Sequence, residues 1–85
     1  MNFTVLWVPA AERELTDLCV AHFAQGLGAI AAAANRIDEL LARDPQRQGM
    51  PHYDVVRTLH VPPLLVDFEI DVGDMKVFVL TVWHE

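Results

Sequence analysis

Positive charge is scarce in this sequence. Six Lys and Arg residues stand against twelve Asp and Glu residues in 85 positions, which gives a formal net charge of −6. Sequence-independent binding to nucleic acid depends on cations that displace phosphate counterions. We therefore expect no strong direct binding to DNA or RNA, although a single local site with one or two arginines stays open.

Cysteines and long apolar runs are also few. The single cysteine, Cys19, cannot form an internal disulfide, which favours a reducing, cytoplasmic location. The run from Val20 to Asn35 carries no charge, but it is rich in Ala and Gly and shorter than the ~20 residues of a membrane span. The segment before Pro9 has no basic residue, so we expect neither a signal peptide nor a membrane partner.

What the chain has in quantity is apolar residues. They make up 53% of the sequence, against 21% charged residues, which is typical of a folded domain rather than a disordered segment. A chain of this length has room for one core. We predict a single domain over residues 1–85.

Hydrophobic periodicity predicts six elements. The predicted helices are Ala10 to Gln25 and Leu27 to Arg43, and the predicted strands are Asn2 to Val8, Asp54 to His60, Leu64 to Val72 and Met75 to Trp83. The segment from Pro45 to His52 has turn composition and is predicted to be a loop. The clearest signal is the third strand, in which apolar residues alternate with Asp67, Glu69 and Asp71.

This order predicts an α+β fold. In the β-α-α-β-β-β arrangement, a helix hairpin packs on one face of a curved, mainly antiparallel four-stranded sheet. The first and last strands, both apolar throughout, are expected to be neighbours. The face of the sheet away from the helices, called the open face below, would then carry Asp67, Glu69 and Asp71.

Several segments together resemble the RelE/ParE superfamily of toxins from bacterial type II toxin–antitoxin modules. The matching segments are Phe3 to Trp7, Pro9 to Leu15, Ile37 to Pro45, Arg57 to Leu59 and Val77 to His84. Their order and spacing span nearly the whole chain. The resemblance implies growth inhibition, a role in plasmid stabilisation and neutralisation by a cognate antitoxin protein, with no cofactor.

Members of this family divide by target, and the resemblance implies two alternatives. RelE-like toxins cleave mRNA on the ribosome, whereas ParE-like toxins bind DNA gyrase. Arg57 matches the arginine of the family's second strand, and His84 falls where some nucleases keep a histidine. The family's third-strand arginine falls near Leu65 here, and its lysine-rich stretch is represented by Arg47. These departures favour a toxin-like protein that binds a protein target, or one with weakened toxicity, over a nuclease with Arg57 and His84 as catalytic residues.

Each candidate residue also has a structural interpretation. Arg57 could form a cross-strand ion pair with an acidic residue of the next strand, and His84 could be a solvated residue near the chain end. Asp67, Glu69 and Asp71 could bind a basic segment of a partner or simply be solvated. An antitoxin strand could also add to the free edge of the second predicted strand.

His52, His60 and His84 match no zinc spacing, so we predict no metal site.

Overall fold

Two helices lie against one face of a five-stranded sheet in the computed structural model, which describes residues 2–85. The helices are α1 (Pro9–Ala21) and α2 (Gly28–Arg43). The strands are β1 (Thr4–Trp7), β2 (Met50–Tyr53), β3 (Val56–Val61), β4 (Leu64–Asp71) and β5 (Lys76–His84). The predicted α+β class and the helix pair on one face of the sheet are confirmed.

The strands lie in the order β1-β5-β4-β3-β2. β1 pairs with β5 in parallel, whereas the other neighbours are antiparallel. The first strand is thus next to the last one, as its uniformly apolar sequence predicted. Within residues 2–85, no helix has the length and hydropathy to cross a bilayer.

The strand count was wrong by one, because part of the predicted loop forms the edge strand β2. Met50 pairs with Thr58 and Tyr53 pairs with Val56. The turn between the two strands includes Asp54 at φ 49°, so β3 begins at Val56 rather than at the predicted Asp54. The chain itself therefore covers the edge at which we expected an antitoxin strand to add, and that expectation was wrong.

The first helix is shorter than predicted. It ends at Ala21, and a 3-10 turn over Phe23–Gln25 follows it. His22 leaves helical geometry, with φ −109° and ψ 17°, and Gly26 turns the chain with φ 91°. The second helix ends at Arg43, as predicted from the Asp44-Pro45 pair.

The core lies between the helices and one face of the sheet. The buried helical residues of α2 recur every three or four positions, as expected for one face of a helix. They are Ile30, Ala33, Ile37 and Leu41. From the sheet, the core takes Leu59, Leu64, Val66, Phe68, Val77, Val79 and Val82. The other face of the sheet stays without a covering layer among the described residues.

Glu14 of α1 covers part of the edge of β5. β1 pairs with β5 as far as Val79, and beyond that residue no described strand pairs with β5 on this side. The Val82 N–H donates to Glu14 Oε1 at 3.3 Å, and the Thr81 hydroxyl donates to the same oxygen at 2.9 Å. A carboxylate from the helix thus occupies a backbone donor that an added strand would need.

Candidate partner-binding surfaces

The register of the sheet places Asp67, Glu69 and Asp71 on the open face, where the alternation predicted them. Asp67 is level with Thr58 on β3, whereas Glu69 and Asp71 pair with Phe78 and Lys76 on β5. The three carboxylates differ in exposure, because Asp67 is buried, Glu69 is half-buried and Asp71 is exposed. A partner can therefore contact the carboxylates of Glu69 and Asp71, whereas the carboxylate of Asp67 is out of its reach.

The Asp67 carboxylate is held by two neighbouring strands. Its side chain is 7% exposed. The Thr58 hydroxyl donates to Oδ1 at 2.6 Å, and the His52 Nδ1–H donates to Oδ2 at 3.1 Å. A buried carboxylate needs such donors to offset its lost hydration. The arrangement ties β2 and β3 to β4.

His52 and Thr58 are therefore site residues that the sequence analysis missed. Thr58 could have been found by aligning the predicted second and third strands as a hairpin around Pro62 and Pro63, because that register puts it opposite Asp67. His52 offered no such signal. It lies on an exposed strand whose sequence shows no alternation.

Apolar side chains lie beside the carboxylates on the open face. Leu6 pairs with Phe78, and Leu65 pairs with Trp83. Leu6 is 39% exposed and Trp83 is 37% exposed. The surface is therefore mixed, with the acidic groups of β4 beside apolar side chains of β1, β4 and β5.

Arg57 lies on the opposite face of the sheet from these carboxylates. It pairs with Phe68, whose side chain is in the core. Its Nε donates to the Gln48 carbonyl at 2.9 Å, and its Nη2 donates to the Gly49 carbonyl at 3.0 Å. Among the described residues, Arg57 forms no cross-strand ion pair, and two backbone carbonyls take the place of a carboxylate partner.

His84 is far from Arg57 along the sheet. It pairs with Leu64 at one end of β4, whereas Arg57 pairs with Phe68 four residues further along the same strand. Four residues of a strand span about 13 Å. The His84 ring stacks on His22 with centroids 4.0 Å apart, and its Nδ1–H donates to the Glu85 carbonyl at 2.8 Å. The fold does not bring the two candidate catalytic residues together.

The role of Arg57 leads to a stability prediction. We expect Arg57→Ala to lower the free energy of unfolding by about 1–2 kcal/mol, because two charge-assisted hydrogen bonds to the loop are lost. Urea denaturation of the purified protein measures this change. Arg47→Ala is the matched control, since Arg47 is exposed and, within residues 2–85, pairs only with Asp44, and it should stay within about 0.5 kcal/mol of wild type. Equal stabilities of the two variants would contradict the structural role.

The three candidate histidines do not meet at one site, although His60 and His84 both contact Glu85. His52 contacts Asp67, His60 Nε2 lies 2.7 Å from Glu85 Oε1, and His84 contacts His22. Among residues 2–85, no three His, Cys, Asp or Glu side chains are grouped so as to hold a metal ion.

A groove of about 460 Å³ lies between α1 and α2 beside the end of β1. Its lining consists of Trp7, Glu12, Leu15, Thr16, Ala34, Asn35 and Asp38. Trp7 also packs against the core. Its indole N–H donates to Asp38 Oδ1 at 2.7 Å. The groove combines an aromatic side chain with two carboxylates.

Comparisons with known proteins identify the fold. No protein-family model and no curated protein sequence matches the chain. Among solved structures, one chain of the RelBE2 toxin–antitoxin complex of Mycobacterium tuberculosis has a TM-score of 0.82 and 23% identity, over 100% of this chain and 93% of that one. A chain of the chromosomal ParDE toxin–antitoxin system of P. aeruginosa has a TM-score of 0.81 and 18% identity, over 96% of this chain and 95% of that one. The protein therefore has the same fold as these two chains, the RelE/ParE-type fold that the resemblance implied.

Proposed function

We propose that the protein is the toxin-like component of a bacterial type II toxin–antitoxin module and that a cognate antitoxin neutralises it. The observation that carries this proposal is the similarity of fold over nearly the full length of two chains from toxin–antitoxin systems. The proposal places the protein in the cytoplasm, where its antitoxin and its target would be found.

We further propose that it acts by binding a protein target, such as DNA gyrase, rather than by cleaving mRNA. Cleavage of RNA needs a cation for the negative charge that develops on the phosphate oxygens and an acid–base group within reach of the same phosphate. Arg57 is bound to the Gln48 and Gly49 carbonyls, and His84 lies about 13 Å further along the sheet. The net charge of −6 also disfavours a long RNA contact.

The open face supports recognition of a protein. Aromatic residues with some exposure, such as Trp83, are enriched at protein–protein interfaces. Glu69 and Asp71 beside this apolar surface would favour a partner with basic residues and repel phosphates.

The experiment combines a bacterial growth assay with an assay of DNA supercoiling by purified gyrase. Induced expression in a bacterium should arrest growth, and co-expression of the protein encoded by the neighbouring reading frame should relieve the arrest. Purified protein should inhibit supercoiling by gyrase in vitro, while Trp83→Ala should weaken inhibition about tenfold without unfolding the protein. Normal growth during confirmed overexpression would contradict the toxin role. Growth arrest without any effect on supercoiling would contradict gyrase as the target.

A further inference from the structure

We infer that the groove between α1 and α2 binds the guanidinium group of an arginine carried by a peptide segment of a partner protein. That this partner is the antitoxin rests on the proposed function. That the ligand is a guanidinium group is argued from the residues that line the groove. The groove lies on the helix side of the molecule, away from the open face that is proposed to contact the target.

The charges in the groove are uncompensated. Its lining contains Glu12 and Asp38 but no lysine or arginine. Within residues 2–85, the Glu12 carboxylate makes no hydrogen bond or ion pair, and Asp38 uses only Oδ1, which accepts from Trp7. Arg36, a cation of the same helix as Asp38, is paired with Glu39 at 3.3 Å. Both helices thus contribute to the lining a residue with a carboxylate oxygen that accepts no hydrogen bond within residues 2–85.

The remaining polar groups of the lining fit the same ligand. The Thr16 hydroxyl donates to the Glu12 backbone carbonyl at 3.0 Å, so its proton is already used. The Asn35 side chain makes no hydrogen bond within residues 2–85 and can offer its carbonyl oxygen. A ligand that only donates hydrogen bonds therefore finds three separate acceptors, from Glu12, Asn35 and Asp38.

Trp7 distinguishes arginine from other cations. An indole face attracts a cation within about 6 Å, and a guanidinium can both stack on it and donate sideways to carboxylates. The hydrogen bond to Asp38 fixes the indole before any ligand arrives, so little side-chain entropy is lost on binding. Leu15 and Ala34 give the aliphatic part of an arginine side chain an apolar contact.

The test uses N-acetyl-arginine amide as the probe and N-acetyl-citrulline amide as its uncharged analogue. The readout is the pair of indole N–H resonances in a two-dimensional NMR spectrum of the ¹⁵N-labelled protein, where Trp83 serves as an internal control. The arginine probe should shift the Trp7 signal with a Kd in the millimolar range, while citrulline should bind at least tenfold more weakly. Equal shifts with both probes, or shifts of Trp83 alone, would overturn the inference.

Variants assign the effect to the two carboxylates. Glu12→Gln and Asp38→Asn should each raise the Kd for the arginine probe at least fivefold. Asp17→Asn is the matched control, because it removes one exposed negative charge from α1 outside the groove, and it should change the Kd less than twofold. Equal increases in Kd for all three variants would indicate a general effect of net charge and would contradict an arginine site in the groove.

The inference and the proposed function can fail separately. If the protein arrests growth and its antitoxin relieves the arrest, but the probe does not move the Trp7 signal, the groove inference is wrong while the function stands. If the probe binds as expected but overexpression leaves growth normal, the toxin proposal is wrong while the arginine site stands. A dimer that forms through the groove and blocks the probe would assign the groove to a second copy and overturn the inference.

Discussion

Asp67→Ala should lower the free energy of unfolding by about 2–4 kcal/mol. The substitution removes a buried carboxylate and leaves the Thr58 hydroxyl and the His52 Nδ1–H without their acceptor. The loss should also free β2, because His52 is its side-chain link to β4. Urea denaturation measures the stability, and hydrogen exchange of the β2 amides measures the release of the edge strand.

Asp71→Ala is the control for this prediction. Asp71 lies on the same face of the same strand, but it is exposed, and its Oδ1 accepts one hydrogen bond, from the Asp74 N–H at 3.1 Å. We expect its loss to cost less than about 1 kcal/mol. If Asp67→Ala were no more destabilising than Asp71→Ala, the buried network would not hold the sheet together, and a partner-binding role for Asp67 would regain support.

Gly49→Ala should destabilise the protein by about 2–4 kcal/mol. Gly49 has φ 69°, a conformation that costs an alanine roughly 1–2 kcal/mol. A Cβ there would lie 2.5 Å from the Thr58 carbonyl oxygen and 3.0 Å from Phe68 Cε1, so backbone and core would both have to move. Thermal and urea denaturation test the prediction.

Gly28→Ala provides the contrast. Gly28 is the first residue of α2, and a Cβ there would meet no atom within 4 Å. Alanine restricts the unfolded chain more than glycine does, so this variant should be neutral or more stable by up to about 1 kcal/mol. Equal losses at positions 28 and 49 would contradict the argument from backbone geometry.

Long periodic segments allowed most of the fold to be predicted. The alternation in β4 fixed which of its side chains face the helices, and the spacing of apolar residues in α2 fixed its buried face. β2 could not be predicted in this way. All four of its residues are exposed and one is Pro51, so it has no buried face and is held by pairing with β3 and by the contact of His52 with Asp67.

The candidate site could be predicted only for the residues whose positions follow from the sequence of a single strand. The alternation of β4 placed Asp67, Glu69 and Asp71 together on the open face. The burial of Asp67 depends on His52 from the missed strand, and the contacts of Arg57 are backbone carbonyls of residues 48 and 49. Backbone acceptors carry no sequence signature, because every residue type offers the same carbonyl group.

The most direct test of the account is to add purified protein to a translating extract and map the 5′ ends of the mRNA. We predict intact transcripts at a protein concentration that inhibits gyrase, because the fold separates Arg57 from His84 and binds the Arg57 guanidinium to the Gln48 and Gly49 carbonyls. Cleavage of ribosome-bound mRNA that is lost in folded Arg57→Lys or His84→Gln variants would contradict the account and establish an mRNA endonuclease.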